Sequence, residues 1–425
     1  MASIAAVLTR IKDRPLQIDG ILDAEAVEEV FAEYGYCWRD RMLGPAQTIE
    51  LFIRQVMDGN ESCGYVRQWA GGTFTPGAYC TARARLPLDA FWGLCRRVWE
   101  QVRTDHEPGV PLWYGHRTFH VDGTSFSMPD TPPLQATFGQ PGQQKLGCGF
   151  PVAHLLMSFD ARTGMVLDAI PGPLRTHDLR DVAWIHRHLA PGDILIGDKA
   201  FGSWAHLALL HGAGVHGLFS LHQHRPVHGK SDRIERWAKP PRQPAWMSVE
   251  QFDALPDHLD VRIVHRVIRR RGFRPVEVNL VTTLLDPTTY RADDLVDLGK
   301  GRWSAELNIR HLKTTMGMEI LKCKTVEGVL KELAIFLLVY NLVRAVMLRA
   351  SAAQGVDVAR ISFADSLAWI RCTQPGAVLW RLLVNPIRPD RLEPRAIKRR
   401  PKEYDRLNRP RQEMRNALKN RAKAA

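Results

Sequence analysis

The sequence predicts an α/β protein in which a helical N-terminal region precedes a mixed β-sheet, and a helical, basic C-terminal region follows it. Three observations carry that reading. Up to about Val102, apolar residues recur at three- and four-residue steps, as on a helix with one buried face. From Arg117 onward, short runs rich in β-branched and aromatic residues alternate with Gly and Pro turns. After Asp181, helical and strand-like segments alternate, the order of a mixed sheet with crossover helices.

Taken in order, "DAEAVEEVFAEYG", "TIELFIRQVM" and "LDAFWGLCRRVWEQV" read as helices. The Pro- and Gly-containing "HEPGVPLWYG" (106–115) reads as a linker. "RTFHVDGTSFSM", "GFPVAHLLMSFD" and "GMVLDAIPG" read as adjacent strands. "DVAWIHRHL" is helical, and "GDILIGDKAFG" is a buried strand with a polar C-terminal end. "WAHLALLHGAG" is a helix with a Gly stop, and "GVHGLFSLH" is another strand. Residues 223–256 turn polar, Pro-rich and basic. A hairpin follows, in which "RRRGFRP" joins "DVRIVHRVI" to "PVEVNLVTTLL". Arg302–Lys313 then forms a helix, with Trp303 and Leu307 as its core-facing side. The apolar "LAIFLLVYNLVRAVML" is interrupted by Asn341 and Arg344 and falls short of the ~20 apolar residues that span a bilayer. It reads as a buried helix of a soluble protein.

Composition narrows the class. The 425 residues suffice for two or three domains. A formal charge of +13 points to a polyanionic partner. Between Arg388 and Ala425, 14 Lys/Arg face 5 Asp/Glu, so the tail carries most of that excess, as a solvated segment or a DNA or partner contact. Six arginines between Arg262 and Arg274 crowd the hairpin turn, either as an exposed face or as phosphate contacts. The seven cysteines are scattered and never spaced as CxxC, which fits a reducing compartment. The N-terminus has no sustained apolar core followed by a cleavage site. His211, His216, His222, His224 and His228 lack the spacing of a zinc site and read as a solvated, partly cationic loop.

Chemistry gathers at three places. In "HVDGTSF" Asp122 follows Val121, and neighbours on a strand face opposite sides, so Asp122 leaves the core as Val121 enters it. "LIGDKAFG" repeats the pattern at Asp198. Sites in open α/β sheets form at strand ends, and an Asp there costs stability unless paired or bound to metal. In "GRWSAELNIRHLK", Arg302, Glu306 and Lys313 follow at steps of four and seven. On an α-helix Lys313 lies about 20° and Arg302 about 40° from Glu306, so two cations flank one carboxylate along a single stripe.

Asp122, Asp198 and Glu306 together make an all-oxygen site for Mg²⁺ or Mn²⁺. Three carboxylates suffice to hold two ions ~3.5–4 Å apart, which implies a phosphodiester substrate. Arg302 and Lys313 would hold phosphates beside them. Singly, each signal has a plainer reading: Asp-Gly is a turn, and an i,i+4 Arg/Glu pair is ordinary surface decoration. Asp130, Asp160, Asp168 and Asp193 sit in turns or strand edges, where solvation accounts for them.

These segments resemble the three acidic motifs of DDE transposases. The similarity is greatest to the insertion-sequence family four branch, whose last motif is Tyr-(2)-Arg-(3)-Glu-(6)-Lys. Asp122, Asp198, Glu306, Arg302 and Lys313 match it. Gly299 stands where the Tyr is expected, and Lys199 where an Arg usually follows the second Asp. Some members hold a flipped base with a Trp in the strand before the last motif. Val276–Leu285 has none, leaving Trp237 or Trp246 if the insertion folds back.

The resemblance implies an RNase H-like mixed sheet with a β-rich insertion. It divides the chain into an N-terminal helical DNA-binding domain (1–112), core (113–222), insertion (223–290), core with the catalytic helix (291–350) and a C-terminal helical, basic region (351–425). It implies cut-and-paste transposition with two Mg²⁺ or Mn²⁺ ions, usually through a DNA hairpin, on double-stranded element ends and target DNA. The expected setting is a synaptic homodimer in the bacterial cytoplasm, associated with the nucleoid. DNA contacts are expected from Arg302, Lys313, Lys199, Arg269, Arg270 and Arg271, and end recognition from the N-terminal arginines Arg39, Arg41, Arg83, Arg85, Arg96 and Arg97. A nuclease on the same fold, or a DNA-binding inhibitor without chemistry, are the alternatives.

Overall fold

The computed structural model describes residues 22–39, 41–106, 112–142, 144–174, 178–222, 225, 231–269, 274–372, 378–387 and 409–424. Five helices come first: α1 (Ala24–Glu33), α2 (Pro45–Met57), α3 (Cys63–Trp69), α4 (Pro76–Arg85) and α5 (Leu88–His106). Then follow β1 (Thr118–Ser127), α6 (Pro132–Phe138), β2 (Val152–Asp160), β3 (Val166–Pro173), α7 (Asp178–His186), β4 (Ile194–Gly197), α8 (Trp204–Gly212) and β5 (His216–Ser220). Next come β6 (Arg233–Ala238), α9 (Val249–Asp253), β7 (His258–Ile268), β8 (Val276–Thr282), α10 (Ala292–Lys300) and α11 (Trp303–Arg310). A single π turn, His311–Thr315, extends α11. Helices α12 (Val326–Gln354), α13 (Phe363–Cys372) and α14 (Arg411–Ala424) complete the described chain.

All eight strands form one sheet in the order β3-β2-β1-β4-β5-β8-β7-β6. Strands β1 to β3 are an antiparallel meander, β4 and β5 run parallel to β1, and β8 returns antiparallel beside β5. Strands β8, β7 and β6 thus continue the sheet beyond β5. One face, with Phe119, Val121, Leu195 and Phe219, packs under Val182 and Ile185 of α7 and Leu207 of α8. The opposite face divides between α10, against Ile194, Ile196 and Leu280, and the α5–α12 layer, against Leu155, Met157 and Phe159.

Helix α12 is long and apolar enough to cross a membrane, but 94% of its most apolar window is buried inside the protein. The polar residues that interrupt it have defined partners. The Asn341 side chain donates to the Val166 carbonyl and accepts from the Val166 N–H, both at 2.9 Å. The Tyr340 hydroxyl donates to the Gly164 carbonyl at 2.9 Å, and Arg344 Nε donates to the Thr163 carbonyl at 2.8 Å. The β2–β3 turn thus finds its hydrogen bonds on a helix rather than in water. Gly164 has φ +70°, and a Cβ there would collide with the Arg344 guanidinium. Helices α2 and α5 join the same core through Phe52, Phe91, Leu94 and Val98.

Several expectations need correction. Trp303 and Leu307 do not face the core: they are 60% and 37% exposed, whereas Ala305, Ile309 and Leu312 are buried. The i, i+4, i+7 row of small and aliphatic residues sets the packed face, and the bulkier side chains are left outside. Solvation does not account for Asp160 and Asp193, which are buried. Arg117 holds both oxygens of Asp193 at 2.8 and 2.7 Å, and the Arg162 N–H donates to Asp160 at 2.9 Å. Asp168 pairs with Arg187 at 2.7 Å, and Asp130 accepts from Gln135 at 2.9 Å. All seven cysteines are free. The described end of the basic tail is helical, with Arg411 donating to the Cys148 carbonyl at 3.0 Å.

Asn341→Leu keeps the apolar bulk but strands the Val166 N–H and C=O. At roughly 1–3 kcal/mol for each unsatisfied buried group, unfolding in urea should show a loss of about 2–6 kcal/mol. A loss below about 1 kcal/mol would mean that β3 finds other partners.

Candidate active site

The pairing of β1 with β4 builds the site. His120 lies opposite Ile196 in this parallel register; two residues on, Asp122 lies midway along β1, still paired with β2, and Asp198 just past the end of β4. Strand alternation puts Asp198 on the face of Ile194 and Ile196, and Asp122 on the face of His120. Helix α11 lies over that face. The Ser304 hydroxyl donates to the Gly301 carbonyl at 2.7 Å, so its oxygen accepts from His120 Nδ1 at 3.2 Å. Burial, and secondarily the Arg302 charge, push the buried His120 down to about 4, so it stays a neutral donor.

The Asp122 carboxyl is pushed up to about 6, chiefly by burial. The Gly123 N–H and Arg302 act in the opposite direction, while the Asp198 and Glu306 charges raise it further. Charged groups from two distant segments, Asp198 and the Arg302–Glu306 pair, therefore act on Asp122. Asp122 accepts from its neighbour's Gly123 N–H at 2.9 Å, and Asp198 from the Ala200 N–H at 2.8 Å. Glu306 pairs with Arg302 at 3.0 Å. Gly197 leaves room for this turn: a Cβ there would lie 2.9 Å from both Val121 and the Phe201 ring.

A π turn lies between Glu306 and the end of the stripe at Lys313. The His311–Thr315 turn, closed by the Met316 N–H on the His311 carbonyl at 3.0 Å, is wider than an α turn, so α-helical spacing does not carry unchanged from Glu306 to Lys313. Gly299 faces β8, where its Cβ would point at Leu280 only 3.2 Å away, so position 299 serves packing here. Lys199 is exposed in the turn after Asp198. Strand β8 runs antiparallel to β5, so the β7–β8 hairpin projects past the same end of the sheet as Asp198. Arg269 is exposed there, while Arg270 and Arg271 lie outside the described residues.

The arginine cluster itself divides. Arg262 is 1% exposed and clamps Asp232 and the Tyr290 carbonyl, and Arg266 pairs with Asp293 at 2.7 Å. His216 belongs to β5, not to a solvated loop, and faces Thr283 at 3.3 Å. Trp237 is buried, donates to Glu235 at 2.9 Å and lies under Arg225 at 3.5 Å. Trp246 does reach the Asp198 turn, lining a cavity of about 430 Å³ with Lys199, Gly202, Ser203 and Arg225.

His120 and Ser304 were missed from sequence. The one available signal was that His120 precedes Asp122 by two residues, on the same strand face. Among the described residues, no three His, Cys, Asp or Glu close on a single point. The donor set nonetheless fits a hard divalent cation, because it is all oxygen, anionic and mutually repelling at a buried carboxylate.

A meander continued by two parallel strands, with Asp122 midway along β1, Asp198 just beyond β4 and Glu306 on a later helix, has the layout of an RNase H-like mixed sheet. Residues 113–342 match the family described as "Transposase DDE domain", and the chain belongs to that family: it is a DNA transposase. It is 24% identical to the transposase InsG for insertion sequence element IS4 of Escherichia coli (strain K12), over 77% of this chain and 78% of that one. Among solved structures it is similar to a piggyBac transposase synaptic complex with hairpin DNA (TM-score 0.44, 9% identity, 86% of this chain and 79% of that one). A pre-cleavage Mos1 transpososome also matches (TM-score 0.16, 9% identity, 50% and 72%). The family generally uses divalent metal ions.

Because the folded-state value of Asp122 is raised from 3.8 to about 6, its contribution to stability is present below the unfolded value and is lost as the pH rises through about 6. Asp122→Asn is neutral throughout. In metal-free thermal melts it should gain stability over wild type as the pH rises from about 5 to about 8, and converge with it near about pH 4. A pH-independent difference would show that Asp122 ionises without strain.

Proposed function

We propose that this transposase moves an insertion sequence by cut-and-paste, hydrolysing phosphodiesters at terminal inverted repeats and joining the freed 3′-OH to target DNA. The observation that carries the reading is that Asp198, Glu306 and Arg302, from distant segments, all act on the buried Asp122, with Arg302 paired to Glu306 at 3.0 Å. Asp122, Asp198 and Glu306 would hold two ions, Mg²⁺ or Mn²⁺. When bound, such ions lower the pKa of water or a 3′-OH and neutralise the leaving oxygen.

The chain's own groups position and neutralise. His120 fixes the start of α11 through Ser304, which sets the height of Glu306 over β1. Arg302 presents a planar fork to phosphate, and Lys199 and Lys313 act as point charges on the same strand. Arg269 to Arg271 reach DNA further along. The cavity under Trp246 suits a base turned out of the duplex beside the Asp198 turn, the service that a Trp in the preceding strand gives other members. Release through a hairpin then brings phosphates together beside Arg302 and Lys313.

Element ends would be recognised by the N-terminal helical region, and two copies would act together in a synaptic dimer, in the cytoplasm and on the nucleoid. Of the basic residues there, Arg83 donates to Gln55 at 2.9 Å, and Arg97 pairs with Glu29 at 2.8 Å. Exposed Arg39, Arg41 and Arg85 line a cavity of about 400 Å³ with Tyr36 and Trp38, which favours them as backbone contacts.

Asp122→Asn, Asp198→Asn and Glu306→Gln should each leave less than about a tenth of strand cleavage while end binding persists. Arg302→Ala and Lys313→Ala on pre-nicked ends should slow hairpin formation more than nicking. Full cleavage by any carboxylate variant removes that residue from the site, and cleavage without joining of paired ends favours the nuclease reading.

Deleting 1–102 would strip the core under α12, so end recognition is better tested by Arg39→Ala, Arg41→Ala and Arg85→Ala combined. Affinity for end DNA should fall, and the slope of log K against log salt should shrink by up to about 3 units. An unchanged slope places recognition elsewhere.

A further inference from the structure

Behind the Asp198 turn lies a histidine pair that none of this chemistry uses. His206, on α8, is fully buried, and its ring is parallel to that of half-buried His186 on α7, with centroids 5.1 Å apart and 8° between planes. The two Nε2 atoms are 2.9 Å apart, and His206 Nδ1 lies 2.8 Å from the Phe201 carbonyl. A carbonyl only accepts, so Nδ1 of His206 carries its proton and its Nε2 is the lone pair. His186 must then donate from its own Nε2. The tautomers of both rings follow from that one carbonyl. Burial keeps them neutral, pushing His206 down to about 3 and His186 to about 4.

The carbonyl being held matters because of where it sits. Residues 198–201 form the turn between β4 and the entry to α8, and Phe201 closes it, its N–H donating to the Asp198 carbonyl at 3.2 Å. Inside the turn, the Ala200 N–H orients the Asp198 carboxylate. His206 is also anchored through its own backbone, whose N–H donates to Ser203 Oγ at 3.3 Å, so helix and turn form one rigid unit. Its ring lies among Phe201, Phe219 and other apolar side chains, where a leucine would pack without losing solvation. A polar ring kept in such surroundings implies that its directed hydrogen bond matters more than its bulk.

We propose that His206, backed by His186, is a positioning residue for Asp198: it locks the 198–201 turn so that the carboxylate is presented towards Asp122 with one oxygen free. This rests on the reading of Asp198 as a ligand of a divalent cation. The pair touches neither DNA nor the reacting atoms and acts through the Phe201 carbonyl alone.

The test compares His206→Leu, His206→Asn and His186→Phe in the full chain, with Asp198→Asn as reference. Mn²⁺ binding without DNA is followed by calorimetry, beside end-DNA affinity, thermal melting and the Mg²⁺ concentration giving half-maximal cleavage. Supporting groups behind metal ligands typically change metal affinity by about 10–100-fold. His206→Leu should therefore weaken Mn²⁺ binding and raise the half-activating Mg²⁺ concentration about tenfold, with melting and DNA affinity near wild type and most cleavage recovered at saturating metal. His206→Asn places an amide N–H near the same carbonyl and should restore most of the loss. His186→Phe should produce a smaller change in the same direction.

Wild-type Mn²⁺ affinity in His206→Leu, while Asp198→Asn loses it, overturns this proposal and leaves the ligand reading standing. Undiminished Mn²⁺ affinity in Asp198→Asn overturns both. If His206→Leu does not fold, His206→Asn and His186→Phe decide: metal affinity equal to wild type in His186→Phe, or no better in folded His206→Asn than in Asp198→Asn, overturns the proposal.

Discussion

Helix α12 is apolar on nearly every side, and a helix of that kind needs protein on every side. The N-terminal helices α2 and α5 cover one flank, strands β2 and β3 another, and Ile361, Phe363 and Leu367 a third. Its few polar groups then act as fixed points. Asn341, Tyr340 and Arg344 bond the backbone of residues 163 to 166, which holds the β2–β3 turn against the helix. Asn308 of α11 approaches the same Gly164 carbonyl at 3.5 Å. Helix α11, which carries Glu306, the meander that carries Asp122 and the N-terminal region are thereby referred to one buried rod. A shift of α12 would move Glu306 relative to Asp122 without touching either residue.

On that frame the site is built against its own stability. Asp122 is pushed towards protonation by burial and by two other carboxylates, and only Arg302 and the Gly123 N–H relieve it. Such strain marks a place where charge is expected from outside the chain. The supporting groups are, by contrast, neutral and well bonded. His120 holds Ser304, and the His186–His206 pair holds Phe201, each deep enough to remain uncharged. In our reading the charged residues face the substrate, and neutral hydrogen bonds set their positions.

The N-terminal region is part of this arrangement rather than an appendage. Lys331 on α12 is 2% exposed and donates to the Arg83 and Ala84 carbonyls, and Asn60 donates to Glu332. Residues that bind element ends in our reading are thus tied to the helix that positions the catalytic core, giving end binding a short mechanical path to the carboxylates.

The sequence by itself determined the strands and helices that carry Asp122, Asp198, Glu306 and Arg302, the residues we propose for the site. Alternation places a polar residue opposite its apolar neighbour, and helical spacing places Arg302 beside Glu306. Both rules act over a few residues and need no tertiary information. Tertiary structure decided what depends on partners far along the chain. A π turn between Glu306 and Lys313 changes the helical spacing on which the stripe was drawn. Trp303 and Leu307 face outward because Ala305, Ile309 and Leu312 fit the core better. Asp193 and Asp160 are held by arginines, and β6 to β8 joined the sheet because β5 had an open edge. His186 and His206 are unremarkable in sequence, twenty residues apart on different helices. Only the packing of α7 and α8 on one face brings their rings together, and a buried hydrogen bond between distant elements leaves no periodic trace in the chain.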